Sequence, residues 1–151
     1  MINADIYKHL FDREYMSGVE REKSRIKATG EVFTPTHLVE EILDNMDQEL
    51  FKDPTKTFLD PSCGDGQFLS SVLYRKLQNG IDFETALSTI YGVDLMSDNV
   101  EETHTRLLCG REDLRPIVER NVICHDFLTY DNSWNGTNKN NDELRFDSLF
   151  D

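Results

Sequence analysis

The chain has 151 residues, 30% of them charged, and 16 Lys and Arg stand against 29 Asp and Glu for a formal charge of -13. That length suits one domain with a real core, and that charge argues against a protein that grips nucleic acid by itself, because phosphate contacts need clustered bases. Three cysteines (Cys63, Cys109, Cys124) without C-x-x-C spacing and four scattered histidines argue against a metal site or a disulfide frame and for a reducing cytoplasm, and no apolar run is long enough for a membrane.

Residues 2–27 read as a helical segment with Ile6, Leu10 and Tyr15 on one face, so 1–29 is taken as an N-terminal helical lead-in to a domain over 30–151. Within it Arg21, Lys23, Arg25 and Lys27 alternate with Glu20 and Glu22, the pattern of a solvated face. Residues 1–30 carry six bases and five acids, whereas the rest carries ten bases and 24 acids. Thr34 is a good N-cap and Pro35 suits a first helical position; Leu38, Val39, Ile42 and Leu43 follow at helical spacing, which predicts a cap-and-helix unit over 34–50. An apolar strand at Phe58-Leu59 then meets Asp60, a tight loop containing Gly64 and Gly66, and a helix beginning near Gln67-Phe68-Leu69. A further helical pattern starts at Phe83. Ile90 to Leu95 is a second buried strand ending in Asp94. Asn121 to His125 is a third, followed by Asp126-Phe127-Leu128. Asp131 to Glu143 is polar and Asn-rich, a mobile loop in which Trp134 acts as an anchor, and Phe146 to Phe150 begins a fourth strand. Strands separated by helices predict a parallel sheet with helices on both faces, with a ligand at the carboxyl ends of the first strands.

The loop after Asp60 carries the chemistry. Gly64 and Gly66 permit positive φ and leave no Cβ between backbone and ligand. The helix start behind them offers free N–H groups and partial positive charge. A dinucleotide fingerprint would read G-x-G-x-x-G and receive a pyrophosphate. Here Leu69 stands where the third glycine would be, and Asp60 and Asp65 flank the loop. Two acids repel phosphates and suit a ligand carrying an amine and a sulfonium, which points to S-adenosylmethionine.

The run Asp60-Pro61-Ser62-Cys63-Gly64-Asp65-Gly66-Gln67-Phe68 resembles the cofactor-binding motif of DNA adenine-N6 methyltransferases of the type I modification subunit and gamma-order kind, usually D-P-A-C-G-S-G-x-F. It departs at Ser62 and Asp65. The resemblance implies a Rossmann-like methyltransferase fold with S-adenosyl-L-methionine as cofactor, and it extends to other motifs in the family's order. Gly30-Glu31-Val32-Phe33-Thr34-Pro35 is similar to the motif that closes over the methionine end, which assigns Phe33 and Thr34 to the cofactor. The resemblance assigns Asp60, Pro61, Cys63, Gly64, Gly66 and Phe68 to the loop site, Asp94 to the ribose hydroxyls and Leu95 to the adenine. It gives Asp126 the adenine amino group and Phe127 the ring. Asp94 follows Asp60 at a longer interval than the usual separation of about 20 residues, and the inserted helix near Phe83 accounts for it.

Adenine-N6 methyltransferases also carry Asn/Asp-Pro-Pro-Tyr/Phe after the fourth strand, whose aromatic ring stacks the flipped base. The four prolines here are Pro35, Pro54, Pro61 and Pro116, with no adjacent pair. The resemblance therefore covers about residues 20–150 and only the cofactor half of the catalytic domain, so an incomplete fold is expected and no catalytic residue is assigned. The implied reaction is methylation of adenine N6 in DNA, in a restriction-modification or phage-type system. DNA would be met through a missing region or a partner chain supplying the Pro-Pro-aromatic element, as in a truncated or split enzyme. The alternatives are a non-catalytic cofactor-binding module, a regulator or decoy, and a small-molecule or protein methyltransferase.

Overall fold

The computed structural model describes residues 4–11, 34–131 and 134. The expected elements at 12–27 and 146–150, the basic stretch at 21–27, Phe33, and the 131–143 loop apart from Asp131 and Trp134 lie outside the described residues.

Among the described residues three strands, β1 (Phe58–Asp60), β2 (Ile90–Asp94) and β3 (Val122–Cys124), form a parallel sheet in that order. Six α-helices accompany it among the described residues: α1 (Ala4–Phe11), α2 (Thr36–Asp44), α3 (Gln67–Gln78), α4 (Phe83–Ser88), α5 (Ser97–Leu108) and α6 (Arg115–Asn121). The chain is thus an α/β protein with the Rossmann-like parallel arrangement expected of it. The register pairs Asp60 with Gly92, Gly92 in turn with Val122, and Asp94 with Cys124, so the carboxyl ends of the strands point the same way.

Strand alternation puts Phe58, Ile90, Gly92 and Val122 on one face. On that face α3 and α5 lay down Leu69, Leu73, Leu107 and Leu108, all buried, and Leu10 of α1 closes the core from outside. Burying each such side chain contributes about 1.5–3 kcal/mol. Rings complete the docking of α1: Phe11 and Tyr7 meet Tyr74 of α3 edge-on, with centroids 5.2 and 5.6 Å apart. The opposite face carries Leu59, Tyr91, Val93 and Ile123. There Trp134 stands edge-on to Tyr91 at 5.5 Å and to Tyr130 at 4.8 Å, tying the segment after β3 back onto the sheet.

The unit expected over 34–50 is corrected in two places. Pro35, not Thr34, is the N-cap of α2; with ψ at 148° it lies outside the helix, and its carbonyl accepts from the Leu38 and Val39 N–H groups at 3.1 Å. The helical turns are phased by Val39 and Leu43 seating in the core, which leaves Thr34 and Pro35 ahead of the first turn. The helix then stops at Asp44, and a separate 3-10 turn follows over Gln48–Phe51, started by Asp47 accepting from the Glu49 N–H at 3.1 Å. The break turns Phe51 inward, where its ring stacks on Phe58 with centroids 5.2 Å apart. Downstream, α4 starts as a capped helix: the Asp82 carboxylate accepts from the Thr85 N–H at 3.0 Å.

A candidate cofactor site at the strand tips

The loop between β1 and α3 is built by backbone bonds to its neighbours. The Cys63 N–H donates to the Val93 carbonyl at 2.9 Å, extending β1 alongside β2, and the Gly66 N–H donates to the Cys63 carbonyl at 2.9 Å, closing the turn. Gly64 (φ 54°) and Gly66 (φ 93°) occupy left-handed conformations that disfavour other residues. Gly66 is also the N-cap of α3, as expected for a helix starting at Gln67. Phe68 is half-buried against the core, and Pro61 is exposed.

Asp94 sits at the tip of β2 and is 7% exposed. Its Oδ1 accepts from the Gly64 N–H at 3.2 Å, and its Oδ2 from the Met96 N–H and the Asn99 side-chain amide, both at 3.0 Å. The acid expected at the ribose is therefore also the clamp that holds the glycine loop to β2. Two carboxylate oxygens offer about four acceptor positions, so three bonds leave room for roughly one more donor.

Asp60 accepts from the Ser62 N–H at 3.0 Å. Burial pushes its carboxyl above the ordinary aspartate range and the neighbouring Asp94 charge adds to this, against the Ser62 bond, which lowers it. The acids that share one electrostatic environment are thus Asp60 and Asp94. Asp65, which the sequence grouped with Asp60, has its Oδ2 3.9 Å from Nη2 of Arg106, and the Asp65 side chain is 16% exposed.

Cys63 is buried, and burial together with the Asp60 and Asp94 charges drives its thiol far above the ordinary range. A thiol held protonated is no nucleophile. Cys63 instead packs beneath β2, where a Cβ on Gly92 would come within 2.7 Å of Leu69 Cδ1 and 3.1 Å of Cys63 Cβ.

Leu95, Asp126 and Phe127 follow closely on the ends of β2 and β3. The His125 N–H donates to the Asp94 carbonyl at 2.9 Å, which brings the start of 125–127 alongside the tip of β2. Asp126 is exposed and accepts from the Leu128 N–H at 3.0 Å, while Phe127 is half-buried. Leu95 stands just past β2, 67% exposed. Thr34 is half-buried two residues before Thr36, whose hydroxyl meets Gln67 Oε1 at 3.5 Å at the start of α3.

Four residues of this site escape motif reading. Asn99 and Thr103 of α5 hold Asp94 and, through a 3.1 Å bond from the Thr103 hydroxyl, the Gly64 carbonyl; Arg106 faces Asp65 and Gly92 makes room for Leu69. A glycine inside an apolar strand is a readable sign of close approach. The α5 residues recur at helical spacing, but nothing local distinguishes them from the polar face around them.

A family model described as N-6 DNA Methylase matches residues 5–114. The chain belongs to the N-6 DNA methylase family. The match runs from α1 through the glycine loop and β2 into the turn before α6, so in this methylase domain it covers the glycine loop and Asp94 and ends before β3 and Asp126. Comparisons with curated proteins and with solved structures returned no match. Among the methylase's described residues, no helix is long and apolar enough to cross a membrane.

Proposed function

We propose that this domain holds S-adenosylmethionine at the carboxyl ends of β1, β2 and β3 and serves the methylation of adenine N6 in DNA, in a restriction-modification or phage-type setting. The observation that carries the reading is the pairing of Asp60 and Asp94 around Gly64. Two acids close enough to raise Asp60, with burial as the larger cause, form a site that favours a cation. Bound there, the cofactor supplies a methyl group on a sulfonium, open to direct displacement.

The residues of the chain have separable parts in this reading. Asp60 accepts from the ligand's ammonium, whose positive charge offsets the cost of burying the carboxylate beside Asp94. Gly64 and Gly66 let the backbone approach. Asp94 gives its remaining acceptor position to a ribose hydroxyl, Leu95 and Phe127 flank the adenine, and Asp126 accepts from the adenine amino group. Thr34, with Phe33, closes the methionine end. Cys63 packs the loop and forms no covalent bond.

The base-holding Pro-Pro-aromatic element and the basic surface for a duplex are proposed to come from another segment or a partner chain. Residues 31–151 carry 24 acids against ten bases, which disfavours DNA contact by these residues. Calorimetry and a labelled-methyl transfer assay test both parts. Heat on titration with S-adenosylmethionine is expected, with incorporation into adenine-containing DNA only when a second polypeptide is added. Absence of heat and of thermal shift at millimolar ligand refutes the cofactor reading. Robust incorporation by the chain alone, lost in Asp60→Ala, refutes the need for a partner.

A further inference from the structure

A guanidinium taken out of water costs stability unless its partners compensate it. The Arg106 side chain is 8% exposed, and its Nη2 donates to Glu102 Oε1 at 2.8 Å and lies 3.9 Å from Asp65 Oδ2. Its Nη1 reaches the carbonyl of Leu10 of α1 at 3.4 Å, tying α5 to α1. The pair with Glu102 spans four residues of one helix and would form equally well at the surface; it does not account for the burial. The contacts with α1 and with the loop do.

Asn99, Thr103 and Arg106 follow one another at intervals of four and three, on one face of α5. Asn99 meets Asp94, Thr103 meets Gly64 and Arg106 meets Asp65. Asp65 is also a position where the chain departs from its family's usual motif. Its carboxylate is directed at a cation on the protein side of the loop.

We propose that Arg106 is a positioning residue that transmits the docking of α1, through Asp65, to the shape of the glycine loop. The link to cofactor affinity rests on the reading above; the link to loop shape does not. Both are tested in the full chain with Arg106→Met, Asp65→Ser and the double variant, by hydrogen exchange of the peptide covering residues 63–67, by thermal midpoint and by titration with S-adenosylmethionine. Arg106→Met is expected to speed loop exchange about tenfold and to weaken binding by about tenfold. In the Asp65→Ser background the same substitution should change loop exchange less than about twofold, because the connection is already cut. If Arg106→Met does not fold, Arg106→Lys, which keeps the charge and loses the forked reach, takes its place. Unchanged loop exchange in either, or an equal increase in both backgrounds, overturns the proposal. A wild-type chain that gives no heat with the cofactor refutes the cofactor reading, while the exchange data still decide the coupling.

Discussion

Asp60→Asn separates function from stability, and the two should move in opposite directions. The substitution keeps an oxygen that can accept from the Ser62 N–H, a 3.0 Å bond in the native loop, and removes only the charge. That charge is costly in the free protein, where burial first and the Asp94 charge second hold the Asp60 carboxyl above its ordinary range. A carboxyl raised in the folded state keeps its proton to higher pH than in the unfolded chain. The native state then binds more protons than the unfolded one across the window from the ordinary aspartate range to the raised one, and stability falls as pH rises through it. Above that window the loss is complete, and Asp60→Asn never incurs it. Relief of such a functional strain typically contributes about 0.5–2 kcal/mol, and a domain of this size gains roughly 2–4 °C in Tm per kcal/mol. The variant should therefore melt a few degrees above wild type at pH 7, with the gap closing as pH falls through the window. Its affinity for S-adenosylmethionine should drop about ten- to hundredfold, since a hydrogen bond to a charged group is worth about 1.5–3 kcal/mol. Melting curves from pH 4 to 8, compared as variant minus wild type, and calorimetry at pH 7 measure both. A variant less stable than wild type at pH 7, or a gap flat across pH, would refute the electrostatic reasoning; undiminished affinity would remove Asp60 from the site.

Asp94→Ala strands three donors (Gly64 N, Met96 N and Asn99 Nδ2), so it should cost about 2–3 kcal/mol or more in a urea melt and weaken cofactor binding, while Asp98→Ala, exposed and losing a bond from the Asn99 N–H, should cost about 0.5–1 kcal/mol; equal effects would dissolve the clamp. Gly92→Ala forces a Cβ to 2.7 Å from Leu69 Cδ1 and should destabilise by about 1–3 kcal/mol, with a Leu69→Ala background reducing the penalty if that contact is its source. In the native protein iodoacetamide at pH 8 should label Cys124, which is exposed, and spare buried Cys63 as well as Cys109, whose thiol burial pushes up to about 12; a label located on Cys63 by peptide mapping would contradict the packed loop.

What the sequence determined by itself is the part written in local chemistry. A glycine pair between an apolar strand and a helix start, acids closing two successive strands, and helical periodicity between strands point to an α/β domain with a glycine loop at the end of its first strand, and the motif order points to the family that the family model shows. The helix start at Gln67 and the position of β2 needed nothing beyond neighbouring residues. The split of 34–50 was not legible, because the break exists to bring Phe51 onto Phe58, and that pairing has no local signature. Tertiary structure alone decided where the carboxylates point. Asp94 was readable as the acid at a strand tip, yet its bond to Gly64 spans 30 residues, and the Thr103 bond to the same glycine spans 39. Asp65 was grouped with Asp60 because they are close in sequence, and the fold turned it toward Arg106 instead. Spacing can place an acid on a loop; only the packing of α5 against that loop supplies the donors and charges that select the direction of its side chain.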